Sequence, residues 1–149
     1  MISDTHGQVD GAVAQALAGV DLILHAGDVG SRAVLDALAR VAPVSAVRGN
    51  VDVGGECGYL PERAVVCTPG GDILVTHVFC PPGPAVGDDP TGARVVVFGH
   101  SHRQHHSEVD GVLYLNPASA GPRRFRDPRS VALLQMGRGQ VEARFVPLD

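Results

Sequence analysis

The sequence predicts an α/β fold with a parallel sheet at its core. Two observations carry this expectation. Strand-like and helix-like stretches alternate through the first half, and a βαβα order of this kind implies parallel strands. Polar residues beside glycine also recur just after the predicted strands, where open α/β sheets place their ligands.

In chain order, residues 9–17 are rich in Ala and predict a helix ended by Gly19. Residues 21–25 (DLILH) predict a buried strand. Ser31 is placed as an N-cap for a helix running to Arg40, within which Ala33, Val34, Leu35, Leu38 and Val41 fall near helical spacing. Pro43 ends that helix, and residues 44–47 form the next strand. The second half is richer in strands. Residues 63–68 and 73–76 flank Pro69-Gly70-Gly71-Asp72, a hairpin signal. Residues 93–98 (ARVVVF) are a continuous apolar strand, and residues 112–115 follow the tight turn Asp110-Gly111. Residues 131–136 pair with 141–146 across Gly137-Arg138-Gly139. The stretch 80–92 is rich in Pro and Gly and reads as a loop.

With 149 residues, no internal repeat and no dividing linker, residues 1–149 read as a single domain. A hydrophobic content of 44% with 19% charged residues is that of a globular chain. The net charge of −4 disfavours nonspecific binding to nucleic acid or acidic membranes, and no apolar run is long enough to span a bilayer. Cys57, Cys67 and Cys80 form neither a disulfide framework nor a zinc knuckle, so a reducing cytoplasm is expected. Only Met1-Ile2-Ser3 precedes Asp4, which leaves almost no room for a strand there. The expectation is a segment upstream, with a stub strand as the alternative.

Five short motifs carry chemistry: Asp4-Thr5-His6, Gly27-Asp28, Gly49-Asn50-Val51-Asp52, Thr76-His77 and Gly99-His100-Ser101-His102. Carboxylate, imidazole and amide oxygen suit a pair of hard-to-borderline metal ions such as Mn, Fe, Zn, Co or Ni. Two ions ~3.5–4 Å apart need a shared ligand, and a carboxylate with two oxygens can bridge them. Asp28 is the natural candidate. Such a pair lowers the pKa of a bound water and stabilises charge on a phosphoryl group. Each motif alone is weak, but the ordered set, holding four of the seven histidines, is specific.

That set resembles the calcineurin-like metallophosphoesterase family, above all its small single-domain bacterial and archaeal phosphodiesterases. The resemblance runs from Met1 to about Ser119 and extends to Asn116-Pro117-Ala118-Ser119 with Pro122-Arg123. It implies a four-layer α-β-β-α sandwich of two mixed sheets flanked by helices. It also implies that Asp4, His6, Asp28 and His102 bind one metal, and Asp28, Asn50, His77 and His100 a second, with Mn²⁺ the first choice. Asp28 and Asn50 thereby take catalytic roles, and His25 a structural one. Arg103, beside the last motif, and Arg123 are placed to reach phosphate oxygens. His105 and His106 are expected to be exposed, and the arginines at 123, 124, 126 and 129 to lie in an exposed loop.

Two departures bear on activity. Family phosphatases often carry His directly after the Asn, where it can protonate the leaving oxygen; here that position is Val51. Losing a general acid costs ~10²–10⁴-fold for a poor leaving group, so a phosphodiesterase is expected over an efficient monoester phosphatase. Val78-Phe79 also follows His77 where Gly is usual, which puts His77 in a departed motif. The expected partner is a small phosphate ester, including a small nucleotide, with a homodimer possible. The alternative is a scaffold, since the vacuolar sorting subunit of the retromer coat shares this fold without its ligand chemistry. A (β/α)₈ amidohydrolase needs ~250 residues, and no G-x-G-x-x-G marks a dinucleotide binder.

Overall fold

The expected βαβ unit is present: β1 (Ile23–His25) and β2 (Val44–Ala46) run parallel, joined by helix α2 (Arg32–Ala39). The computed structural model describes residues 1–83, 87–124 and 126–149, so positions 84–86 of the predicted 80–92 loop lie outside the described residues. Ahead of β1, helix α1 (Gly11–Ala16) is shorter than the Ala-rich stretch because Asp10 caps it, its side chain accepting from the Ala12 and Val13 amides. A cap of this kind is worth ~1 kcal/mol. Ser31 occupies the N-cap position of α2, but its side chain makes no capping bond.

Seven further strands follow: β3 (Arg63–Thr68), β4 (Gly71–Thr76), β5 (Val95–Val97), β6 (Gln104–Val109), β7 (Val112–Pro117), β8 (Ser130–Gly137) and β9 (Gln140–Pro147). Five of them form a mixed sheet in the order β3-β4-β5-β7-β6. Strands β4, β5 and β7 are parallel; β3 and β6 close the edges antiparallel. The hairpin of β8 and β9 forms as the sequence predicts.

Residues 1–3 make the other connection. On one side the Ile2 amide donates to Leu24 O and the Ala26 amide to Ile2 O, both at 2.9 Å. On the other, the Ala132 amide donates to Met1 O, and the Met1 amine to Ala132 O. The stub therefore knits β1 to β8.

Apolar side chains sort into layers accordingly. Leu24, Ala26 and Val47 meet Val75, Val97 and Leu115 between the two sheets. Val13, Leu17, Val34 and Leu38 of the helical segments pack on Ile2, Ile23 and Val131. Strand β5 reads as an unbroken apolar run because both its faces are buried: Val95 and Val97 face inward, Val96 outward. That outer face is covered by Phe79, Phe98 and Tyr114, with Phe79 stacked on Tyr114 at 5.8 Å. Both described α-helices contribute to the layer on the β1 side; among the described residues none covers this aromatic face.

Residues 1–3, β1, β2, β4 and β5 all run into their following loops at one end. Those five loops hold the five motifs.

Candidate metal centre

Five residues of these motifs adopt the left-handed backbone region: Asp4 (φ 54), His6 (φ 46), Asp28 (φ 53), His100 (φ 69) and His102 (φ 58). Each such conformation costs an L-residue ~1–3 kcal/mol and persists only where its surroundings impose it. Here the Asp4 amide donates to Gly27 O, the His6 amide to Asp28 O, and Ser119 Oγ to Asp4 O. Strain gathered this densely in one region points to function.

One group of donor atoms comes from Asp4, His6, Asp28 and His102, all within 4.8 Å of one another. His6 Nε2 lies 3.4 Å from His102 Nε2, which is 3.2 Å from Asp4 Oδ1. Asp4 is fully buried, and its Oδ2 accepts the His100 amide while Oδ1 has no hydrogen-bond partner. Burial pushes the Asp4 carboxyl above its usual range. A buried, unpartnered carboxylate oxygen facing two imidazoles is costly unless a cation sits among them.

A second group adjoins it. Asn50 Oδ1 lies 2.9 Å from His77 Nε2 and 3.0 Å from His100 Nδ1. Donation of His77 Nδ1–H to Ala26 O at 2.7 Å leaves Nε2 as a lone pair in the neutral ring. That lone pair faces the Asn50 oxygen and, at 3.4 Å, Asp28 Oδ1. Either a proton or a metal cation must occupy such a focus. Burial lowers the His77 pKa, but the Asp28 carboxylate and Ala26 carbonyl outweigh it, and the net shift is upward.

Asp28 belongs to both groups. Its Oδ1 faces His77 and accepts the Val51 amide at 3.0 Å, while its Oδ2 faces His6 at 3.8 Å. Burial raises its pKa, yet the His77 bond and the Val51 amide prevail and hold it to about 2. The packing admits nothing larger than glycine nearby: a Cβ on Gly49 would stand 2.1 Å from Asp28 Oδ1. Carboxylate, imidazole and amide oxygen in two adjoining sets fit a pair of divalent cations.

The bonds made by Asp52 and Asn116 escaped the sequence reading, which placed both residues within motifs without a role. Asp52 is buried and accepts the amides of Val29, Gly30 and Gly49, tying the loop after β1 to the loop after β2. Its position beside glycine-rich turns was the available signal. Asn116 donates to Gly99 O and Ser101 Oγ and accepts the Ala118 amide, which fixes the loop carrying His100 and His102. His25 is buried, bonded to Thr5 Oγ1 and the Gly27 amide, and held down to about 3 by burial. It stands outside both donor groups.

The remaining residues belong to neither donor group. Arg103 is exposed, its Nε 3.8 Å from Asp127 Oδ2, and Arg123 is exposed as well. Arg129 departs from the exposed loop expected of it, being largely buried and paired with Asp10 at 2.8 Å. His106 is exposed as expected, but His105 is half-buried against Phe98. The departure after His77 splits in two: Val78 turns outward, and Phe79 enters the aromatic cluster. All three cysteines are free.

The fold and these convergent donors define a class, the metal-dependent phosphoesterases of mixed α/β architecture. Residues 1–139 match the model of the calcineurin-like phosphoesterase superfamily domain, and the chain belongs to that superfamily. It is 31% identical to a probable metallophosphoesterase of Methanocaldococcus jannaschii, over 100% of this chain and 80% of that protein. It is 30% identical to the probable metallophosphoesterase YsnB of Bacillus subtilis, over 97% and 88%. In shape it resembles Chaetomium thermophilum Vps29, with a TM-score of 0.75 at 20% identity over 98% of this chain and 93% of that one. A solved archaeal phosphodiesterase gives 0.74 at 21%, over 98% and 96%. Family membership implies a hydrolase that binds divalent metal. No helix among the described residues is long and apolar enough to cross a membrane.

Proposed function

We propose that residues 1–149 act as one domain that hydrolyses phosphodiesters, using two divalent ions bridged by Asp28. The observation that carries this reading is the division of Asp28, one oxygen toward His6 and the other toward His77, beside the unpartnered Asp4 Oδ1. Asp4, His6 and His102 complete one set of ligands; Asn50, His77 and His100 complete the other. Mn²⁺ suits this mixture of oxygen and imidazole, with Zn²⁺, Fe, Ni²⁺ or Co²⁺ as substitutes. Ions held there would acidify a water and offset the charge that develops on the phosphoryl group.

The protein supplies position and selectivity. The Val51 amide holds Asp28 in its bridging orientation, while the Val51 side chain offers no proton to a leaving oxygen. Leaving groups that depart as stable anions are therefore favoured, and diesters over alkyl monoesters. Arg103 serves as a phosphate contact by exchanging its weak pairing with Asp127 for the substrate's oxygens.

The test is metal content after purification without chelator, followed by hydrolysis of bis(p-nitrophenyl) phosphate and of an alkyl monoester with added Mn²⁺. Bound metal and faster diester hydrolysis are expected. Faster monoester hydrolysis would overturn the diester preference. A folded protein with neither metal nor activity would favour a scaffold role.

A further inference from the structure

A cavity of about 370 Å³ opens beside Asn50 and His77, lined further by Val53, Val78, Arg48, Glu62 and Arg63. A larger cavity, about 530 Å³ beside Asp10 and Arg129, shares no residue with either donor group. The smaller one adjoins the chemistry. Its two apolar side chains, Val53 and Val78, are 77% and 57% exposed. Of the six exposed large apolar side chains among the described residues, Val51, Val53 and Val78 fall within three positions of Asn50 or His77. Single exposed apolar residues need no explanation, but a concentration beside a site marks a surface that something covers.

The rest of the lining is polar. Arg48 pairs with Glu62 at 2.6 Å and bonds Gly58 O, so Arg48 is held rather than free to sweep the cavity. Arg63 and the Glu62 carboxylate bring donors and acceptors to the same space. Apolar walls with a rim of hydrogen-bonding groups match a flat heterocycle better than an alkyl chain, because the ring edge needs polar partners that an alkyl group would leave unpaired.

We propose that this cavity binds the nucleoside of a phosphodiester, with its base against Val53 and Val78 and the base edge toward Arg63 and Glu62. The phosphoryl group then lies at the Asn50–His77 side of the donor groups. Val53 and Val78 thus determine specificity, which rests on the phosphodiesterase reading above.

The experiment compares two diesters with a common leaving group, thymidine 5′-(p-nitrophenyl) phosphate and methyl p-nitrophenyl phosphate, on the Mn²⁺-loaded protein. Water adds to phosphorus as the bond to p-nitrophenolate breaks, so both are read at the same wavelength. The KM for the thymidine ester is expected to be about tenfold the lower. Val53→Asp, at a position too exposed to threaten folding, should erase that advantage and leave the methyl ester unchanged; Val53→Ile should retain it. Equal KM values in the unaltered protein, or an equal rise for both esters in V53D, would overturn the proposal. Calorimetric binding of thymidine 5′-phosphate separates the two readings. If neither ester is hydrolysed but V53D weakens binding about tenfold, the cavity assignment stands and the phosphodiesterase reading falls. Binding indifferent to V53D overturns the cavity assignment whatever the activity.

Discussion

Asp4 Oδ2 accepts the backbone amide of His100 at 3.1 Å, so the carboxyl group is anchored through one oxygen, while the other makes no hydrogen bond and faces His102 at 3.2 Å. Under the proposed assignment, this divides structure from ligation within one side chain. Asp4→Asn keeps the size and an acceptor for the His100 amide but removes a charge that burial disfavours. With metal chelated, D4N should melt no lower than the parent, because a neutral amide replaces a buried carboxylate whose second oxygen makes no hydrogen bond. Its affinity for the first ion should fall by more than the ~10–100-fold typical of losing an outer-shell partner. Thermal melts in chelator and Mn²⁺ titration calorimetry check both halves; a lower melting temperature would show Asp4 to be structural.

Asp52 supports the site without belonging to it. Asp52→Ala leaves the buried amides of Val29, Gly30 and Gly49 without an acceptor. A loss of about 3 kcal/mol or more is expected in denaturant unfolding, together with weaker metal binding as the two loops separate. Unchanged stability would mean that water replaces the carboxylate.

His25 sets an acid limit. Its folded pKa of about 3 lies below its ordinary value of 6.5, so the folded state binds fewer protons than the unfolded one. Its contribution is complete above pH 6.5 and is lost as pH falls toward 3, by up to ~1.4 kcal/mol per unit. Asp28, held to about 2 against 3.8, adds a further loss as pH drops through that lower window. In chelator, His25→Gln should flatten stability between pH 6 and 4 relative to the parent. Parallel curves would refute the assignment.

Val51 is the simplest route to altered chemistry. Its side chain is 46% exposed and its amide already holds Asp28, so a larger side chain can be accommodated without moving the carboxylate. Val51→His should raise alkyl monoester turnover ~10²-fold or more while aryl diester turnover changes little. A uniform change across both substrates would argue against a missing proton donor.

What the sequence made legible follows physical lines. Residues 63–68 were read to the exact bounds of β3, and the ARVVVF run contains β5, because local pattern and burial agree there. Strand β6 was missed: Gln104-His105-His106-Ser107-Glu108 is polar on an edge strand with only β7 beside it, so no apolar alternation announces it. The donor residues were legible because their side-chain chemistry is local to each motif. The burial of Arg129 and the amide-binding role of Asp52 were not, since each depends on partners distant in sequence. The left-handed backbone at Asp4, His6, Asp28, His100 and His102 leaves no compositional trace either, being imposed by loops already in place.

The ladder between Met1 and Ala132 joins positions 131 residues apart. Closing so long a loop delays folding, since the entropy must be surrendered before the contact rewards it. On the ribosome, the segment leading into Asp4 therefore remains half-paired until β8 has emerged. If Asp4 holds a cation as proposed, its capture would accordingly be a late event of biosynthesis, and a nascent chain stalled before residue 130 should emerge without it.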